Sequence, residues 1–260
     1  MTEQFRSVWT RAPRRPRAAG LGRDQIVRAA VAILDKEGLE ALSMRRLGAE
    51  LGAGATSLYW HVANKNELLE LALDEIWGSV DDGGLESASG LRELLSTFAY
   101  NFRGALLAHP WSATLIGRIP SVGPQAFRLT ERLRRAFTEA GFRGFDVYLA
   151  SGTVTSFVLG QVIPLIAMEK AHGGPVDSGQ VMRILDELSA DYPEMRADYR
   201  THMPEDSAVG NALGFDFGLL CLLDGLEARL RARQSAPPTD VDEARPAGRA
   251  APPRPAGSDR

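Results

Sequence analysis

Residues 52–69 read GAGATSLYWHVANKNELL. Glycines open the stretch, Leu58, Tyr59, Trp60, His61 and Val62 follow without a break, and Lys65 lies just beyond. Helical periodicity puts Leu58 and Val62, four residues apart, on one face. Thr56, Ser57, Tyr59, Trp60 and His61 then spread over the remaining arc. A short helix has one face to give to a core. The hydroxyls, the two large rings and the imidazole on the other faces need something else to meet.

Upstream, Asp24 heads a run with apolar residues at Ile26, Ala30, Ile33 and Leu34, a helical spacing that Gly38 closes. Ser43 is placed to N-cap a second, short helix with Leu47 and Leu51 inward and Arg45 and Arg46 outward. Gly52 and Gly54 break it, and a third short helix runs from about Ala55 to Val62. Asn64 and Glu67 have the spacing of a capping box and open a fourth helix through about Val80. Two short helices joined by a glycine-bearing turn and resting on a longer first helix form a helix-turn-helix unit. Its second helix is sized for a DNA major groove. There, hydroxyl and imidazole groups bond phosphates or base edges, and rings and methyls touch thymine methyls. Arg45 is a candidate for a bidentate pair with guanine, and Lys65 for a phosphate at the fourth helix's start. Tyr59 has a rival reading, a ring packed in the core.

The chain of 260 residues is 44% hydrophobic and 24% charged, ordinary for a globular protein. No uninterrupted apolar run reaches the roughly 18 residues that span a bilayer, and the N-terminus lacks the apolar centre of a secretory signal. The expectation is a soluble, cytoplasmic protein. A single cysteine, Cys221, rules out an intrachain disulfide and supports no metal cluster. Net charge is −3, yet residues 1–21 carry Arg6, Arg11, Arg14, Arg15 and Arg17 among Pro and Gly. They read as a disordered basic arm, either a solvated tail or a polyanion contact. A helix-turn-helix directly behind the arm favours the second. Arg11, Arg14, Arg15 and Arg17 are then placed to follow a minor groove, adding affinity and salt dependence.

Beyond residue 90 the periodicity predicts helices over 91–108, 124–140, 145–169, 178–189 and 207–232, with no useful strand. The fold class is all-α with nine or ten helices. The expected division is an arm (1–21), a three-helix DNA-binding domain (22–68), a larger helical ligand-binding and dimerisation domain (69–232) and a disordered tail (233–260). Gly152, Ser156 and Gly160 stand four apart on one helix, and Gly218, Leu222 and Gly225 lie on the last. Repeated helix glycines, each costing about 1 kcal/mol relative to alanine, point to close packing, within the chain or against a second copy.

From Asp24 to about Trp77 the sequence resembles the DNA-binding domain of the tetracycline-repressor (TetR) family, through IVRAAVAILDKEGLEALSMRRLGAELG and SLYWHVANKNELL. The resemblance implies homodimeric all-α repressors that bind palindromic operators and release them on binding a small molecule. It matches Arg45, Thr56, Ser57, Tyr59, Trp60, His61 and Lys65 to DNA-contacting positions. FDFGLLCLLDGLEARL (215–230) resembles the family's last helix and implies the dimer. Ala55 and Thr56 stand where tetracycline repressors have Gln-Pro, and Met44 replaces a hydroxyl residue, which implies a different half-site.

The resemblance also places large residues around an effector cavity: Trp77, Phe98, Phe102, Leu106, Trp111, Leu115, Ile119 and Phe127, with Asn101, Gln125, Arg128 or Thr130 as polar contacts. Leu115 falls where the magnesium-binding histidine of the tetracycline site belongs, and the matching second position falls near Asp81. No metal or other cofactor is expected, and the effector is expected to be larger and mainly apolar. No Gly-rich phosphate loop, Cys–His pair or G-x-S-x-G motif argues for an enzyme. The leading expectation is a ligand-responsive repressor, of an exporter or a natural-product pathway by the family's habit. The alternative is an activator or architectural DNA-binding protein without an effector.

Overall fold

The structure, a computed structural model, describes residues 7–10, 21–81, 84–174 and 177–235. Among them are eleven α-helices and two short 3-10 turns. The first three helices are α1 (Arg23–Glu37), α2 (Met44–Glu50) and α3 (Ala55–Leu58). They share a small core in which Ile33, Leu47, Leu58 and Val62 are each 2% exposed or less. The expected signals hold in detail. Ser43 Oγ accepts the Arg46 N–H at 3.1 Å, and Gly38 closes α1 at a φ of 81°. Asn64 Oδ1 accepts the Glu67 N–H at 2.9 Å, while the Glu67 carboxylate reaches back to the Ala63 N–H at 2.7 Å. The return arm of that box is thus one residue earlier than its usual form.

The fourth helix, α4 (Lys65–Asp81), crosses the expected domain boundary and runs into the centre of the larger bundle. That bundle adds α5 (Leu91–Ala108), α6 (Pro110–Ala113), α7 (Pro124–Ala140), α8 (Asp146–His172), α9 (Ser178–Leu188), α10 (Pro193–His202) and α11 (Ser207–Ser235). The expected count of nine or ten misses α6, which is a single turn, and α10, whose mostly polar sequence PEMRADYRTH has Met195 and Tyr199 as its only large apolar side chains and has no buried residue. Helix α5 packs on α4, α7 and α8, and α11 lies along α5 and α8.

The arm differs from expectation at one place. Ser7–Thr10 is folded onto α4, with Val8 3% exposed. Glu70 Oε2 accepts the Ser7 hydroxyl at 2.7 Å and the Val8 N–H at 3.0 Å. Burial of a carboxylate needs such donors, and Val8, with Trp9 packed beside it, supplies an apolar contact to the core. Arg11, Arg14, Arg15 and Arg17 lie outside the described residues, as do the residues after Ser235.

Candidate nucleic-acid interface and effector wall

The DNA-facing candidates stand on α3 and on the turn after it. The helix ends at Leu58 rather than at the expected Val62, and Tyr59, Trp60 and His61 lie in turn backbone. There the His61 and Val62 N–H groups both bond the Leu58 carbonyl, at 2.9 and 3.0 Å. Gly52, at a φ of 60°, makes the turn before α3, and Leu58 and Val62 are fully buried. Tyr59 is 47% and Trp60 60% exposed, so the rival reading of Tyr59 as a core ring is not what the fold adopts. Thr56 and Ser57 are exposed and His61 is half-buried. The hydroxyl of Ser57 donates to the Gly54 carbonyl at 2.7 Å, which leaves its lone pairs to face outward. Lys65 Nζ donates to the Leu39 carbonyl at 2.8 Å, tying the start of α4 to the loop after α1. Two of its three N–H donors remain beyond that bond.

The adjacent arginines of α2 part company. Arg45 is exposed. Arg46 is clamped, its guanidinium donating to Glu37 at 2.6 and 3.2 Å and to Glu50 at 2.8 Å. The hydrogen bond from Arg46 holds Glu37 below the usual carboxylate range, and the two carboxylates push the Arg46 pKa up. Arg46 therefore fastens α2 to α1, while Arg45 stays exposed to solvent.

Along α4, Glu70, Asp74, Trp77 and Asp81 recur at spacings of four, three and four, one face of the helix. All are buried. Glu70 takes the N-terminal segment as above. Asp74 accepts the backbone N–H groups of Gln125 at 3.2 Å and Ala126 at 3.0 Å, capping α7 from outside. Burial raises the Asp74 pKa, with those two N–H bonds and the charge of Arg128 opposing. Trp77 Nε1 donates to Ser121 Oγ at 2.9 Å. Asp81 pairs with Arg132 at 3.0 Å.

The expected effector-lining residues come together in part. Trp77 stacks on Phe102 with ring centroids 4.9 Å apart, and Phe102 on Phe98 at 5.7 Å. Leu106, Trp111 and Leu115 are buried in the same core and Ile119 packs on its edge. Asn101 Nδ2 donates to the Val80 carbonyl at 3.1 Å. Two residues do not join this wall. Phe127 is 61% exposed, because α7 buries the face of Ala126, Leu129, Leu133 and Phe137 instead. Gln125 lies against Gly78 and bonds Arg128. It lines a separate cleft of about 440 Å³ between α1, α4 and α7, with Arg28, Asp35, Glu75 and His109. Beside that cleft, Asp35 Oδ1 of α1 accepts both Trp111 Nε1 and His109 Nδ1 at 2.7 Å, a contact between the two domains that the sequence does not announce.

The glycine stripes divide as well. Gly152, Gly160 and Gly225 are exposed, with open space where a Cβ would stand, and Ser156 is exposed beside them. Gly218 is different: a Cβ there would come within 2.6 Å of the Phe157 ring, so this glycine serves the intrachain crossing of α8 and α11. Leu222 likewise packs on the core. Helices α8 and α11 are long and apolar enough to cross a membrane by length and composition. Here Val154, Val158, Val162, Phe215, Leu219 and Leu223 bury one side of each against the bundle.

This arrangement has relatives. Residues 26–72 match the family described as bacterial regulatory proteins, tetR family, and residues 84–230 match the tetracyclin repressor-like C-terminal domain. An HTH-type transcriptional regulator of Saccharopolyspora erythraea is 36% identical over 226 residues, 85% of this chain and 92% of the relative. The HTH-type transcriptional repressor DrrR1 of Streptomyces coeruleorubidus is 33% identical over 236 residues, 87% of this chain and 86% of its own. Among solved structures, the TetR family protein ActR of Streptomyces coelicolor in complex with actinorhodin superposes with a TM-score of 0.67 at 28% identity, covering 82% of this chain and 99% of that one. A pinned recognition turn, a connecting α4 and two matched domains together make this chain a member of the tetR family of bacterial regulatory proteins, which are DNA-binding transcription factors and not enzymes.

Proposed function

We propose that the protein is a ligand-responsive transcriptional repressor that binds an inverted-repeat operator as a homodimer in the cytoplasm and is released by a small, mainly apolar molecule. The observation that carries this reading is the continuity of one helix. Helix α4 begins at Lys65, beside the exposed Tyr59 and Trp60, and ends in the stacked wall of Trp77, Phe102 and Phe98. A ligand entering at Trp77 shifts α4 and with it the spacing of the two recognition helices. Linkage then requires operator and effector to oppose each other.

The dimer is supported by unpartnered surface on the two longest helices. Leu149 and Ile163 beside the glycines of α8, and Leu213, Phe217 and Leu220 of α11, are exposed apolar residues, Phe217 at 72%. A four-helix interface with a second copy covers them. Arg11, Arg14, Arg15 and Arg17 extend the DNA contact from the arm, and the regulated genes belong to an exporter or a natural-product pathway. ActR, solved with actinorhodin, makes that compound the first to test.

A second reading, an activator or architectural protein without an effector, draws on the tight packing of the wall, where Phe98 and Phe102 are each 1% exposed. One pair of measurements separates them. Duplexes selected from a random library by the full chain supply the operator and show whether it is an inverted repeat. Melting of the protein is then followed with actinorhodin and with other aromatic natural products, since a ligand of the native state raises Tm. Stabilisation together with loss of the selected duplex supports the repressor; selective DNA binding with no stabiliser supports the second reading.

A further inference from the structure

We infer that Asp35 is a specificity-determining residue for operator half-site spacing, acting by fixing the DNA-binding domain to the larger domain at a second point. The inference rests on the dimeric operator reading above. Helix α4 is one connection between the domains, and α1 packs along it. Apolar packing between two helices is non-directional and tolerates small rotations. Directional bonds at a distance from that contact line do not. Asp35 supplies them: one carboxylate oxygen on α1 accepts from Trp111 Nε1 and from His109 Nδ1, both at 2.7 Å, at the junction of α5 and α6. Trp111 is 5% exposed and cannot turn away. His109 is itself set by the C-cap of α5, its N–H bonding the Ala105 carbonyl at 3.0 Å. Each donor thus belongs to a fixed element of the larger domain.

An operator reads this fixation directly. A change of one base pair between half-sites moves one site about 3.4 Å along the axis and turns it by about a tenth of a turn. A dimer whose recognition helices are rigidly held rejects such a change. One whose DNA-binding domains can each rotate about α4 follows it.

The test uses the full-length dimer and the duplex recovered by selection, with its central spacer at the selected length and one base pair shorter and longer. The unaltered protein is expected to lose about tenfold in affinity for either altered spacer. Asp35→Ala is expected to bind the selected duplex a few-fold more weakly and to hold all three within about threefold of one another. Asp35→Asn keeps an acceptor for Trp111 Nε1 and is expected to restore the dependence on spacing. Trp111→Phe removes one donor while keeping an aromatic ring, and gives an intermediate profile, so the test survives if Asp35→Ala does not fold. A uniform loss at all three spacers would mean that Asp35 serves stability alone, and an unchanged profile would mean that α4 fixes the domains by itself; either overturns the inference. Selection that returns no inverted repeat overturns the dimeric reading first, and is told apart because it involves no variant.

Discussion

Gly123 and Asp74 offer a test of the α4–α7 junction that can be worked from the geometry. Gly123 is the N-cap of α7, with φ −80° and ψ 166°, backbone that alanine adopts freely. The objection to a side chain is steric. A Cβ at this position would overlap the Asp74 carboxyl group, and even the farthest of its three atoms would lie only 2.6 Å away. Ordinary carbon contacts need about 3.5 Å, so Asp74, itself 6% exposed, must retreat by roughly 1 Å. That takes its bonds to the Gln125 and Ala126 N–H groups, now 3.2 and 3.0 Å, beyond bonding range. Hydrogen bonds to charged groups contribute about 1.5–3 kcal/mol each, and overpacking costs about 1–3 kcal/mol. Allowing for relaxation, Gly123→Ala should destabilise by about 3–5 kcal/mol. The assay is urea unfolding followed by circular dichroism at one protomer concentration, because dimerisation makes stability concentration-dependent. Gly78→Ala is the control. Its Cβ meets only the flexible Gln125 side chain, at 3.3 Å, and should cost well under 1 kcal/mol. In an Asp74→Ala background the Gly123 substitution should lose most of its effect, since the two share one clash. A loss below about 1 kcal/mol for Gly123→Ala, or full additivity with Asp74→Ala, would refute the reasoning.

Four further outcomes follow from the same contacts. Removing residues 1–10 should lower stability by about 2–3 kcal/mol, by taking away the buried contact of Val8 and the two donors that Ser7 and Val8 give to Glu70; calorimetry of the truncated chain checks it. The pKa of Asp74 is raised in the folded state, so its contribution is fully present below the unfolded carboxylate range and is lost as pH rises through the folded value. Asp74→Asn removes a slope that opposes the acid-side loss set by lowered carboxylates such as Glu37 and Glu86, so stability should fall more steeply toward low pH in urea unfolding across a pH series. Trp60→Ala and Tyr59→Ala should each weaken the selected duplex by about 1–3 kcal/mol with little change in Tm, as measured by fluorescence anisotropy. Gly218→Ala should destabilise by about 1–3 kcal/mol in urea unfolding, because Phe157 must give way, whereas Gly160→Ala, with open space at its Cβ, should leave monomer packing intact.

What could be read from the sequence was local. Ser43, Asn64, Glu67 and Gly38 mark helix ends through chemistry within a few residues, and they stand where their spacing put them. Leu58 and Val62 declare a buried face because helical winding sets residues four apart on one side, and the turn after α3 keeps them there although the helix itself ends at Leu58. The contacts that escaped are non-local. Asp35 and Trp111 are 76 positions apart, and nothing near either residue signals the other. The apolar Val8–Trp9 pair among the arginines was a signal, since a solvated tail has no use for it, but its partner Glu70 lies 62 positions on. Gly218 shows the limit of spacing as evidence. A glycine stripe says that something comes close, and only the fold says whether it is Phe157 of the same chain or a second copy. Phe127 fails for a related reason: a large apolar residue is normally core, but α7 presents the neighbouring face.

The acidic face of α4 bears on how such a helix could switch. Glu70, Asp74 and Asp81 sit where a connecting helix would ordinarily bury leucines; Glu70 and Asp74 accept hydrogen bonds from the N-terminal segment and the start of α7, and Asp81 forms an ion pair with Arg132. Leucines would give more stability, since buried charges recover their desolvation only with well-placed partners. They would also let α4 slide, because apolar contact changes smoothly with position. Carboxylates do not slide; a displacement of about 1 Å forfeits a hydrogen bond outright. A helix held this way has a defined resting place and must break several bonds together to leave it, which is the discrete behaviour that coupling between distant sites requires. Trp77 lies within the same row, between Asp74 and Asp81, and is the member that touches the aromatic wall. Replacing Asp81 by leucine should therefore preserve or raise Tm while weakening the antagonism between operator and effector. A variant that keeps full antagonism would show that the acids contribute stability alone.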